Sequence, residues 1–272
     1  MMDHPQTRIT YVGHATLLVE MDGARIMTDP ALGRWLGPLL RRGPLPGRQV
    51  RCDLDAVLIS HLHLDHLDLP SLRRLHPSLP IVVPGHGAAL LRRRGFSDVR
   101  GVAVGDRLRV GGVDVLVTPA RHPGRRYFRA VDGDAVGYLM QGSRTVYFAG
   151  DTALFDEMRE IRPRPEVACL PIGGWGTSAS DDHHLHPLSA ARALTLLEPS
   201  LAIPIHWGTY SPPGMLHVKG KRLADAPRAF RQLAGELAPD VEVRILMPGH
   251  ATTIDAGPRQ TERSGPPSRP RA

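Results

Sequence analysis

The chain has 272 residues, of which 42% are hydrophobic and 5% aromatic, and a net charge of +7 at pH 7 with histidine neutral. That length is near the limit of a single core. No apolar run approaches the ~20 residues needed to span a bilayer, and the aromatic content is too low for a single-stranded nucleic-acid stacking platform. The polar stretch Met1–Thr7 has no signal-like character, and Cys52 and Cys169 are too far apart for a disulfide framework. Cytoplasmic residence is therefore the expectation, with no nucleic-acid partner. The arginine clusters at 41–42, 73–74 and 92–94 read as a solvated basic surface.

In chain order, strand-like runs at 8–12 and 15–20 flank Gly13-His14-Ala15-Thr16. Thr28-Asp29-Pro30 follows, and then the apolar run 55–60 ends in His61-Leu62-His63-Leu64-Asp65-His66. A helix is predicted over 86–94. A strand over 113–117 leads to His122, and strands over 136–141 and 145–149 lead to Asp151. Helices are predicted over 153–161 and 188–198, the second just after His184. A strand over 201–205 precedes His206, and a last helix covers 222–238. Residues 1–256 read as one domain and 257–272 as a disordered Pro/Arg-rich tail.

The hexapeptide at 61–66 carries the most chemistry. It holds three imidazoles and a carboxylate, groups that suit zinc and similar divalent ions. In an extended stretch His61, His63 and Asp65 point the same way, and a turn at Asp65 brings His66 to a second centre. His122, Asp151 and His206 each lie just past a strand-like run, the same context as the hexapeptide. Four such coincidences in order are not explained by solvated loops. His250 also follows a strand-like run and is the rival to His206.

With these residues in place, the sequence resembles the metallo-beta-lactamase superfamily of metal-dependent hydrolases over roughly residues 8 to 255. The markers Gly13-His14-Ala15-Thr16, Thr28-Asp29-Pro30, Gly150-Asp151-Thr152, His184-Leu185-His186-Pro187 and Ile205-His206-Trp207-Gly208-Thr209 look like one branch of it. That branch contains L-ascorbate-6-phosphate lactonases and N-acyl phosphatidylethanolamine phospholipase D. The resemblance implies a four-layer αββα sandwich, with an internal pseudo-duplication that no sequence repeat betrays.

It also implies two divalent ions, Zn first and Mn or Fe as substitutes. His61, His63 and His122 would hold one, Asp65, His66 and His206 the other, with Asp151 bridging them. Hydrolysis of a small ester, lactone or phosphorylated substrate by a metal-bridging hydroxide is the implied activity, with Asp65 orienting it and His184 serving the leaving group. The alternatives are a lipid phosphodiesterase at a membrane surface, touching it through 33–40, and a non-catalytic metal sensor. Arg126, close after His122, is the expected contact for an anionic substrate, and a homo-oligomer is compatible with all three. Asp29 is expected to support a ligand by hydrogen bonding, and His14 to have a structural or supporting role. His183 and His186 compete with His184 for its assignment. His63 in place of Glu argues against the oxygen-reducing di-iron members. Asp151 in place of Cys argues against antibiotic hydrolysis. The 55 positions from 151 to 206 leave no room for the inserted domain of the RNA-cleaving members.

Overall fold

A computed structural model describes residues 6–123, 134–173, 183–215 and 220–255. The first half of the chain builds β1 (Gln6–Gly13), β2 (Thr16–Met21), β3 (Ala24–Thr28), a hairpin of β4 (Trp35–Leu36) and β5 (Leu39–Arg41), and β6 (Ala56–Leu58). A short helix α1 (Leu69–Leu72), β7 (Ile81–Pro84), α2 (Gly85–Arg93) and β8 (Val99–Val102) complete it. The second half supplies β9 (Arg107–Val110), β10 (Val113–Pro123), β11 (Asp134–Gln141), β12 (Thr145–Phe148), β13 (Val167–Pro171) and α3 (Pro187–Leu197). It ends with β14 (Leu201–Ile205), β15 (Tyr210–Ser211), α4 (Gly220–Leu237), β16 (Glu242–Val243) and β17 (His250–Asp255).

Two seven-stranded sheets result, in the orders β17-β1-β2-β3-β6-β7-β8 and β16-β14-β13-β12-β11-β10-β9. Period-two alternation explains why the first is covered on both faces. Ala56 and Leu58 of β6 point into the core between the sheets, whereas Val57 and Ile59 join a second apolar cluster with Leu69, Leu72 and Leu91 of α1 and α2. On the far side α3 packs against β13, and α4 lies on α3, burying Phe230 and Ala234. The layers are helix, sheet, sheet, helix, the expected αββα sandwich.

The pseudo-duplication is visible in strand direction. An antiparallel meander β1-β2-β3 continues into parallel β6-β7-β8. The meander β10-β11-β12 likewise continues into parallel β13-β14-β16. The two sheets are tied together where β6 ends. Tyr138 Oη–H donates to the Ile59 carbonyl at 2.7 Å and Val136 N–H to the Ser60 carbonyl at 2.9 Å.

The predicted helices 86–94, 188–198 and 222–238 match α2, α3 and α4 to within two residues. The helix expected over 153–161 is instead a 3₁₀ turn, Asp156–Glu160. Ile161 is already extended ahead of Arg162-Pro163, and a proline disfavours helical backbone in the residue before it. Among the described residues, no helix is long and apolar enough to cross a membrane.

Candidate metal centre

Four of the candidate ligands sit at or just past the C-terminal end of a strand, on one edge of the sandwich. His61 follows β6, Asp151 follows β12, His206 follows β14, and His122 lies near the end of β10. The turn expected at Asp65 is present, but it begins earlier, so 61–65 do not run extended throughout. His66 N–H and Leu67 N–H both donate to the His63 carbonyl, at 3.1 and 2.8 Å, closing a turn over 64–66. That turn separates the hexapeptide into two pairs. His61 and His63 face one way, Asp65 and His66 another.

The first pair meets His122. His61 Nε2 and His122 Nε2 lie 2.9 and 3.1 Å from His63 Nδ1. A tetrahedral ion with nitrogens at about 2.0–2.1 Å would set its donors roughly 3.3 Å apart, so this spacing is close to a ligand triangle. Two of the rings are aimed by their outer nitrogens: His61 Nδ1 lies 3.0 Å from Ser60 Oγ, and His122 Nδ1–H donates to the His183 carbonyl at 2.8 Å.

The second pair meets His206. His66 Nε2 and His206 Nε2 are 3.2 Å apart, and Asp65 Oδ2 lies 3.7 and 3.5 Å from them. Asp151 Oδ2 closes the group at 3.3 Å from His66 Nε2 and 3.5 Å from His206 Nε2. Asp29, fully buried, accepts His66 Nδ1–H at 2.7 Å together with the Ser60 N–H and Oγ–H at 2.7 and 2.6 Å. This fixes the ring and presents Nε2 inward. His206 Nδ1–H donates to the Gly173 carbonyl at 3.2 Å.

Charge follows burial and neighbours. Burial holds His61 well below the usual imidazole range, with the nearby His66 adding to it, and lowers His122 to about 4. Burial would raise Asp151 and Asp65, but the surrounding histidines outweigh it and keep both well below the usual carboxylate range. Burial also opposes charge on His66, yet Asp151, Asp65 and Asp29 together raise it well above the ordinary value. That direction favours a proton on His66 in the ion-free protein, and an incoming cation has to compete with it. Affinity for a divalent ion should weaken as pH falls, and binding should release protons into solution near neutrality. Chelator competition at pH 6 and pH 8 checks this, and an affinity equal at both values would contradict it.

The residues present suit divalent cations. Among the described residues nitrogen and oxygen donors converge in four overlapping groups, one of which sets Asp151 with His122 and His184, and Asp151 Oδ1, fully buried, has no hydrogen-bond partner. An unsatisfied buried carboxylate oxygen is costly unless it faces a cation. The backbone is held unusually as well. Asp29, Gly150 and His206 have φ of 34°, 61° and 60°. At Gly150 a Cβ would lie 2.5 Å from Ser60 Cβ, so only glycine lets Asp151 approach His61's strand end this closely.

Seven residues named from the sequence come together: His61, His63, Asp65, His66, His122, Asp151 and His206. His184 stands beside them, 33% exposed, with Nε2 3.6 Å from Asp151 Oδ2 and its ring 4.5 Å from His122. His183 contributes its carbonyl, which accepts His122 Nδ1–H. His186 caps α3, accepting the Leu188 N–H on Nδ1 at 3.2 Å. The rival His250 is exposed on edge strand β17 and joins none of these groups. Arg126 lies outside the described residues. His14, expected to have a structural or supporting role, stands closer to the donors than that expectation specified. This buried residue enters the second group with Nε2 3.0 Å from Asp65 Oδ2, and its only sequence signal was the Gly13-His14-Ala15-Thr16 motif.

Sandwich and site together define a metal-dependent hydrolase of the metallo-beta-lactamase fold. The chain belongs to the beta-lactamase superfamily, whose domain model matches residues 24–207. It is 33% identical over 250 residues to a UPF0173 metal-dependent hydrolase of Methanopyrus kandleri, covering 90% of this chain and 98% of that one. Among solved structures it is similar to Igni18, a metallo hydrolase of Ignicoccus hospitalis, with 27% identity and a TM-score of 0.69 over 92% of this chain and 99% of that one. An isothiocyanate hydrolase from Delia radicum gut bacteria shares the fold, with a TM-score of 0.70 at 21% identity over 92% of this chain and 100% of that one.

Proposed function

We propose that the chain hydrolyses a small ester, lactone or phosphorylated substrate with the help of two divalent ions. His61, His63 and His122 would hold one, Asp65, His66 and His206 the other, and Asp151 would be shared. The observation that carries this reading is Asp151 between the donor groups: Oδ2 faces His66 and His206, a carboxylate oxygen clusters with His122 and His184, and Oδ1 is buried and unpartnered. When bound, such ions supply a water that ionises near neutral pH and a Lewis acid for the carbonyl or phosphoryl oxygen.

The protein's own side chains do the rest. The Asp65 carboxylate, kept ionised by its histidine neighbours, orients the attacking water and takes up its proton. His184, on the open side of the site, keeps a proton at one ring nitrogen for the departing oxygen. Arg126 would meet an anionic group on the substrate. The all His/Asp donor set suits zinc, with manganese or iron as substitutes.

Elemental analysis of the purified protein, followed by an ester, lactone and phosphodiester panel with that metal restored, tests the reading. Two ions per chain and turnover in one class support it. A single ion, or two ions with no hydrolysis, would overturn it. A lipid phosphodiester as the substrate is the second reading, favoured by Trp35, which is 55% exposed on β4. We rank it lower because Leu36 and Leu39 of the same hairpin pack inward against Ala31 and Tyr210. Co-sedimentation with phosphatidylethanolamine liposomes separates the two.

A further inference from the structure

The motifs Gly13-His14 and His206-Trp207-Gly208-Thr209 lie nearly 200 residues apart in sequence yet interlock in space. His14 N–H donates to Thr209 Oγ1 at 2.7 Å, and His206 N–H donates to the His14 carbonyl at 2.7 Å. Thr209 Oγ1–H in turn donates to the Trp207 carbonyl at 3.2 Å, which also accepts Tyr11 Oη–H at 2.7 Å. Gly13, at φ 130°, is what lets Thr209 come so close: a Cβ there would lie 2.7 Å from Thr209 Cγ2.

His14 itself sits at φ 58°, a left-handed conformation that non-glycine residues adopt only where the surroundings impose it. Its ring is fixed on three sides, 4.0 Å from His206, 5.5 Å from His66 and edge-on to Tyr210 at 5.8 Å. So held, Nε2 meets Asp65 Oδ2 at 3.0 Å. That is hydrogen-bond distance, shorter than the 3.5 and 3.7 Å at which the same oxygen faces His206 Nε2 and His66 Nε2.

We propose that His14 is a positioning residue. Its Nε2–H holds the Asp65 carboxylate in register with His66 and His206, and Thr209 locks the Gly13-His14 turn for that purpose. Asp65 and His66 both ride on the 64–66 turn; Asp29 holds the His66 ring, and His14 is the anchor for Asp65. The proposal rests on the two-ion reading above.

Zinc titrated against a competing chelator into full-length protein tests it. The variants are His14→Asn, which tolerates the left-handed backbone but is too short to reach Asp65, and His14→Gln, which keeps an N–H donor at similar reach. Wild type should show two sites. His14→Asn should weaken one of them by about 10- to 100-fold and leave the other unchanged, the range usual for losing a group that orients a ligand. His14→Gln should recover most of that loss. Thr209→Val, which removes the hydroxyl acceptor at constant shape, should weaken the same site. Equal affinities in wild type and His14→Asn would overturn the proposal, as would equal weakening of both sites. With cobalt in place of zinc, a visible spectrum that differs between wild type and His14→Gln would make His14 a ligand and overturn it too. A single zinc site in wild type would sink the two-ion reading and this proposal with it. Two sites in wild type, both unaffected in His14→Asn, would sink the proposal alone.

Discussion

Asp151→Ala should purify with its metal content reduced and its hydrolytic rate lowered by about 10³-fold or more. The figure follows from what a bound metal contributes to a polar transition state. Several kcal/mol of charge stabilisation corresponds to roughly three powers of ten in rate. Asp151 is the side chain whose Oδ2 closes the second donor group and whose Oδ1 is buried without a partner. Its loss leaves His66 and His206 facing an apolar methyl. Metal content and kcat/KM should fall together, and restoring metal in excess should not restore the rate. A metal-free Asp151→Ala protein with full activity would remove the basis for the proposed mechanism.

Asp29→Ala should act on stability as well as on the site. The Asp29 carboxylate is the hub for the Ser60 backbone, the Ser60 hydroxyl and the His66 ring, all without access to water. Removing one partner of a buried charged pair typically costs about 3–5 kcal/mol, because the remaining groups are left desolvated and unpaired. The ion-free variant should therefore unfold at a markedly lower urea midpoint. The holo form should also bind its ions about 10- to 100-fold more weakly, since nothing then aims His66 Nε2 inward. Midpoint and affinity are separate readouts, and wild-type values for both would show that Ser60 and His66 keep their places unaided. The contrast with Asp151→Ala is diagnostic: one residue faces the ions, the other the scaffold.

Much of the site was readable before the fold was known, and the reason is local. His61, His122, Asp151 and His206 each lie at or just past the end of a short apolar run, and strand ends on one edge of a sheet are where such side chains gather. The division of the hexapeptide came from the resemblance, whereas period-two alternation alone would have put Asp65 with His61 and His63. The backbone turns over 64–66, and that separates His61 and His63 from Asp65 and His66. His14 was legible only as a structural or supporting residue; its partner Asp65 was not, because the contact depends on a left-handed backbone and on Thr209, far away in sequence, neither of which leaves a periodic trace.

Strands were missed for comparable reasons. β8 reads Val-Arg-Gly-Val and edge strand β17 reads His-Ala-Thr-Thr-Ile-Asp, patterns too mixed to announce burial on one face. β7 is only four residues long between prolines. Of the helix expected over 153–161 only a 3₁₀ turn at Asp156–Glu160 forms, ahead of Arg162-Pro163.

The donors are divided between the two sheets: His61, His63, Asp65 and His66 leave the first, His122, Asp151 and His206 the second. Any ion held among them is therefore a cross-link between the halves of the molecule. An ion at one hundred times its dissociation constant adds about 2.7 kcal/mol to the folded state by mass action alone. Loaded, the polar cluster would rivet the seam between the two sheets. Thermal resistance should then track the free concentration of metal as well as the packing of the core.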